Sequence, residues 1–226
     1  NTTASGATIP TFAARQDFST PLYPNYLAID DLNGDGKVDV VVANTDGNSV
    51  SLFRNLTATA ATAASFAARQ DIATLAGPAS VAVGDLNGDA LPDLCIVNSL
   101  ADSVSTFIST TAVGATTFSF NARQDFAVGT NPADVAIADL NGDGLLDLAV
   151  ANFMADSVSL LLNATGLGAA SVVFPSRQDV GTGAAPVSIE VGDFSGSGRL
   201  DLAIALADAD SISFFQNNTQ SGAGAI

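Results

Sequence analysis

Asp31-Leu32-Asn33-Gly34-Asp35-Gly36-Lys37-Val38-Asp39 decides how this chain is read. The nine residues recur at 85–93, at 139–147 and, weakened, at 193–201, each start 54 residues after the last. Oxygen-bearing side chains stand at places 1, 3, 5 and 9. They are Asp31, Asn33, Asp35 and Asp39, then Asp85, Asn87, Asp89 and Asp93, then Asp139, Asn141, Asp143 and Asp147, and last Asp193, Ser195, Ser197 and Asp201. Carboxylates and an amide carbonyl at this spacing suit a hard cation, and glycine at place 6 permits the turn through which short side chains converge. Place 7 varies freely (Lys37, Leu91, Leu145, Arg199), as expected where only its backbone carbonyl is used.

Asn-Gly and Asp-Gly alone are hairpin-turn chemistry. A turn does not need aspartate at places 1 and 9 as well, and both stand in all four copies. Magnesium keeps its waters and seldom takes an all-protein cage. Zinc and copper favour ligands that a chain with no His and one Cys lacks. The expected cofactor is therefore Ca2+, up to four ions. The fourth loop is the weakest, because Ser195 and Ser197 replace an amide and a carboxylate. The second loop carries Ala90 at the turn glycine and Pro92 before its last ligand, which predicts strain there.

The 226 residues suffice for one sizeable core or several small ones, and 47% of them are apolar, so the chain is folded rather than disordered. Formal charge is −16, and the four loops hold eleven of the 23 acids. Four calcium ions would bring the chain to about −8. The acidity is thus largely a feature of the loops, and it argues against nucleic acid or an anionic membrane as partner. No apolar run reaches membrane-spanning length, which excludes helical insertion, and no signal peptide is visible at the start. Cys95 stands where the other repeats have Val41, Ala149 and Ala203, which marks it as a small buried residue; a nucleophile would need a base, and there is no His.

The repeat extends beyond the loops. The stretch 12–18, Phe-Ala-Ala-Arg-Gln-Asp-Phe, returns at 66–72, 120–126 and 174–180, and Pro24, Pro78, Pro132 and Pro186 follow at the same step. A short apolar strand precedes each loop (27–29, 81–83, 135–137, 189–191) and a second leaves it (40–43, 94–97, 148–151, 202–205). A third alternates apolar and small polar residues (49–53, 103–107, 157–161, 211–215). Period-two patterning rich in β-branched and aromatic residues reads as strand, and no stretch holds a 3.6 period. Four strands per 54 residues is the pattern of a β-propeller blade.

With its flanking apolar strands, the loop resembles the FG-GAP or VCBS-type repeat of integrin-α-like β-propellers, over nearly the whole chain. The resemblance implies a calcium ion in each loop between the first two strands of a blade. Such propellers usually have seven blades, whereas this chain has four repeats. The expected architecture is all-β, one repeat domain over 1–226, with four blades of four short antiparallel strands. Its units are 19–72, 73–126, 127–180 and 181–226, the last lacking its fourth strand. Strand 11–18 completes the last blade, either of its own chain as a closed ring or of a neighbouring module as an open array. Residues 217–226 overlay residues 1–10, which favours continuation.

Asn1, Asn55, Asn163 and Asn217 each open an Asn-x-Thr acceptor at one repeat position, where the remaining unit has Ser109. These are candidate N-glycosylation sites, and the Thr/Ser/Ala tract at 57–65 could carry O-linked sugar. Arg15, Arg69, Arg123 and Arg177 are four of the seven cations. A structural ion pair in each blade explains them more simply than a ligand-binding ring. Asn44, Asn98 and Asn152, with Asp102, Asp156 and Asp210, read as turn residues whose side chains bond local backbone.

Every recurrent carboxylate has a metal-binding explanation and no nucleophile has a base, so no enzyme activity is expected. The reading that fits is an extracellular or cell-surface, calcium-stabilised structural or adhesive repeat glycoprotein that self-associates end to end into a filament or surface layer. The alternative is a secreted integrin-like propeller lectin, or a protein-adhesion module, with a glycan or protein ligand.

Overall fold

The computed structural model describes residues 5, 6, 9 and 11–219, and all regular structure among them is β-strand. The first blade is a meander of β1 (Pro24–Asp30), β2 (Asp39–Asn44), β3 (Ser49–Phe53) and β4 (Gln70–Ala73). The second repeats it as β5 (Pro78–Gly84), β6 (Asp93–Asn98), β7 (Ser103–Phe107) and β8 (Gln124–Ala127). The third holds β9 (Pro132–Ala138), β10 (Asp147–Asn152), β11 (Ser157–Leu161) and β12 (Arg177–Gly181). The fourth has three strands, β13 (Pro186–Gly192), β14 (Asp201–Leu206) and β15 (Ser211–Phe215). Each sheet is antiparallel in sequence order. The propeller-type, all-β reading holds. The fourth strand is shorter than the repeat suggested: Phe66 and Phe120 make only isolated bridges, to Asn55 and Ser109.

Successive side chains of a strand point to opposite sides, so a strand between two blades must be apolar on both. That is why β6 and β10 are buried at every residue. Leu32, Val41, Ala43, Val50 and Leu52 of the first blade meet Val81, Leu94, Ile96 and Phe107 of the second. Leu86, Cys95, Val97 and Val104 meet Val135, Leu148, Val150 and Leu161 in the same way. Leu140, Ala149, Ala151, Val158 and Leu160 meet Ile189, Leu202, Ile204 and Phe215. The core is therefore three similar layers between blades. Burying one such Leu, Ile or Val contributes roughly 1.5–3 kcal/mol. Cys95 lies in the second layer, fully buried, and burial pushes its thiol pKa up to about 12, so it is an inert core residue.

The ring is not closed. Residues 12–18 form no strand and do not pair with β15. They lie on the first blade, where Gln16 Oε1 accepts from Ala64 N at 2.7 Å and Gln16 Nε2 donates to Ala64 O at 3.2 Å. Gln70 with Phe118 and Gln124 with Val172 repeat that pair one and two units on. Phe18 packs edge-on against Phe66 at 5.0 Å, as Phe126 does against Phe174. The segment thus occupies the fourth-strand place of a blade that would precede the first, and lacks only that blade's third strand to pair with.

Each repeated Arg pairs with the Asp two residues on: Arg15 with Asp17, Arg69 with Asp71, Arg123 with Asp125 and Arg177 with Asp179. The ion-pair explanation is the one observed. The pair leads inward, because Ser51, Ser105 and Ser159 each donate to Asp71, Asp125 and Asp179 at 2.6 Å. Asn44, Asn98 and Asn152 donate in turn to those serines at 2.8–2.9 Å. These asparagines are fully buried ties between the second and third strands, not the turn residues expected. Asp102 and Asp156 are turn residues, at φ 48° and 50°, and their side chains accept from Asn131 N and Ala185 N of the following blade.

Candidate functional site

The loop sits between the first two strands of a blade, closed by the pairs Asp30–Asp39, Gly84–Asp93, Ala138–Asp147 and Gly192–Asp201. The backbone turns through the left-handed region at places 4 and 6. Gly34 and Gly36, Gly142 and Gly144, and Gly196 and Gly198 accept this; in the second loop Ala90 is held at φ 67°. The strain expected there is real, since a side chain in that region costs roughly 1–2 kcal/mol.

Place 9 is the structural anchor. Asp39, Asp93, Asp147 and Asp201 are buried at the start of their strands. One oxygen accepts from the backbone N–H at place 2, at 2.8–3.1 Å. The other accepts from the N–H of Asn55, Ser109, Asn163 or Asn217, at 2.7–2.8 Å. One carboxylate thus ties the loop to the segment after the third strand. A carboxylate has about four lone-pair sites, so acceptor capacity is left over.

Place 3 faces two ways. Asn33 and Asn87 are buried, and their Nδ2 donates to Ala115 O and Ala169 O in the next blade. Their Oδ1 then points back into the loop, accepting from the N–H at place 5. Place 1 caps the loop: Asp31 accepts from Asp35 N and Gly36 N, as Asp85, Asp139 and Asp193 do from their counterparts. Place 5 accepts from the N–H at place 7, of Lys37, Leu91 or Leu145, and in the fourth loop Ser197 Oγ accepts from Arg199 N at 3.4 Å.

Burial pushes Asp93 and Asp147 up to about 6 against the pull of two backbone N–H bonds, and the neighbouring carboxylates at places 1 and 5 push the same way. Asp39 is raised for the same reasons. Asp201 moves down instead, held by the N–H of Asn217, because no further blade covers it. The donor set is all oxygen and suits a hard cation. In this arrangement the oxygens at places 1 and 5 face the loop's own amides. Among the described residues no three acidic, His or Cys side chains already form a metal cage.

The Asn-x-Thr positions turn out to be structural. Asn163 is 2% exposed, and its Nδ2 gives both hydrogens away, to Leu86 O of the preceding blade at 2.8 Å and to Leu146 O at 2.9 Å. Its Oδ1 accepts from Thr165 N, and Thr165 Oγ1 from Val173 N. N-glycosylation needs that nitrogen, so the expected sugar on Asn163 does not fit this fold. Asn217 is closed in the same way by Leu140 O and Leu200 O. Asn55 differs. It is half-buried, has no blade behind it, and donates only to Val38 O. Asn1 lies outside the described residues. The repeated acceptor sequence is thus first an Asx turn joining blades, and sequence alone could have flagged it, since Asp, Asn and Thr bond backbone two residues on.

The FG-GAP-like repeat family matches residues 31–96 and 140–204. No curated protein matches the chain in sequence. Among solved structures, BBS1N, crystallised in complex with ARL6DN, aligns at a TM-score of 0.50 with 14% identity over 89% of this chain. This chain spans 58% of the BBS1N chain. A functionally unknown protein from Desulfotomaculum acetoxidans aligns at a TM-score of 0.45 and 16% identity, over 88% of this chain and 71% of that one. A Photorhabdus luminescens Tc holotoxin chain aligns at 0.45 and 18%, over 90% of this chain and 12% of that one. At these identities the BBS1N likeness speaks for the fold alone.

Proposed function

The chain belongs to the FG-GAP-like repeat family, and from that premise we propose that it is an extracellular structural or adhesive module, stiffened by calcium and without catalytic role, whose copies join end to end. FG-GAP-like repeats typify extracellular or surface proteins, and millimolar calcium outside cells saturates even weak oxygen sites. The observation that carries the calcium reading is the place-3 asparagine. Its nitrogen is fixed to the next blade, so its oxygen is already presented to the loop beside three aspartates. Asp31, Asn33, Asp35 and Asp39, with the carbonyl of Lys37, would hold the ion in the first loop, and their counterparts would do so in the others. Calcium supplies charge neutralisation and stiffness, not chemistry. The place-9 aspartate carries that stiffness to the segment after the third strand. Asn55 is the glycosylation acceptor that fits this fold.

A ligand bound only by the folded state stabilises it by about 2.7 kcal/mol per site at a hundredfold excess over Kd. The test is thermal unfolding in calcium, in magnesium and in chelator. Calcium should raise the midpoint well above the chelator value, with magnesium far less effective. Midpoints that coincide in all three would remove the calcium reading.

A further inference from the structure

We propose that a second copy of this chain docks on the exposed face of the fourth blade, placing its residues 15–19 beside β15 as the missing fourth strand. The proposal rests on the end-to-end reading above and names its joint. Among the described residues, the large exposed apolar side chains of the fourth blade include the repeat counterparts of core residues. Phe194, Ile212 and Phe214 are 58%, 64% and 57% exposed, whereas their first-blade counterparts Leu32, Val50 and Leu52 are 1% exposed or less. The other half of the same interface is bare on the first blade. Leu27 is 61% exposed, whereas Val81, Val135 and Ile189 are 2–6% exposed. One chain therefore carries both halves of its own interblade interface, one at each end. Such a contact is heterologous and propagates head to tail.

The repeat fixes the register. Ser51 pairs with Asp71 and Leu52 with Gln70, and the third blade extends the series to Leu161 with Arg177. Carried to the open edge, this sets Ser211 opposite Ser19 of the second copy, Ile212 opposite Phe18, Ser213 opposite Asp17, Phe214 opposite Gln16 and Phe215 opposite Arg15. Ser213 then donates to Asp17, as three other serines already do to their aspartates. The donor segment is ready for this. Gln16 holds it on its own first blade, and Arg15 and Asp17 are paired but 86% and 74% exposed, against 28–40% in the three completed blades. It cannot serve its own β15, which lies three blades away. Asn55 completes the joint. Asn163 and Asn217 donate backwards to Leu86 O and Leu140 O, and the same step brings Asn55 of the second copy to Phe194 O of the first.

The test uses two single-cysteine variants, Ser213→Cys and Asp17→Cys, under mild oxidation; the native Cys95 is buried and inert. Mixed, they should give a disulfide-linked dimer of twice the 22.6 kDa chain mass, and neither should do so alone. In parallel, Ile212→Asp with Phe214→Asp should abolish association while leaving the urea midpoint unchanged, because both side chains are exposed in the single chain. Association by light scattering without the mixed cross-link would overturn this joint and leave end-to-end assembly standing through another surface. A chain that stays monomeric at every concentration would overturn both.

Discussion

Replacing Asn163 by serine should cost far more than replacing Asn55 by serine, although the two occupy one repeat position. The serine introduced by Asn163→Ser would keep a hydroxyl able to accept from Thr165 N, as Ser109 Oγ accepts from Thr111 N in the second unit. It would lose both amide donors, and leave Leu86 O and Leu146 O without them at a site 2% exposed. Orphaning a buried polar group costs about 1–3 kcal/mol, so two carbonyls amount to about 2–4 kcal/mol once partial relaxation is allowed. Asn55→Ser removes one bond, to Val38 O, at a half-buried site, for about 0.5–1 kcal/mol. Urea unfolding resolves the two. The midpoint of Asn163→Ser should fall several times further than that of Asn55→Ser, with the denaturant slope unchanged because the same surface is exposed on unfolding. Equal shifts would refute the interblade role given to this position.

Three further outcomes are expected. Ala90→Gly should stabilise the chain by about 0.5–1 kcal/mol, because relief of the left-handed strain exceeds the entropy glycine adds to the unfolded state; a lower melting midpoint would contradict it. Cys95 should resist alkylation in the native chain and react on unfolding, its thiol being buried with a pKa of about 12; rapid native labelling would show that the second core layer opens. Peptide mapping of protein from its source should find N-linked sugar at Asn55 and none at Asn163 or Asn217, and occupancy at Asn163 would be incompatible with its two buried bonds.

The fold was legible because the repeat is strict. A 54-residue step with no slippage places every strand and loop once one copy is read, and apolar runs on both faces announce strands buried between blades. The loop residues were legible for the same reason, since aspartate at places 1 and 9 exceeds what a turn requires. Three things were not. Asn163 carries the same three letters as a surface sequon, and only packing shows that its amide points into a neighbouring blade. The Asn44–Ser51–Asp71–Arg69 chain spans three strands, and its members are too far apart in sequence for local patterning to join them. The ends were ambiguous because strand sequence says what can pair but not which edge it reaches; the structure keeps residues 12–18 on the first blade.

The central claim is that the four loops hold calcium, and calorimetric titration of the chelator-stripped chain with calcium tests it most directly. The account predicts exothermic or endothermic saturation at three sites, with a fourth filling only at higher concentration. Ser197→Ala should alter only the weak phase, and Asp139→Ala should remove one of the three stronger sites. A titration with no binding heat, and no shift in melting midpoint at saturating calcium, would contradict it and leave the loops as hydrogen-bonded turns alone.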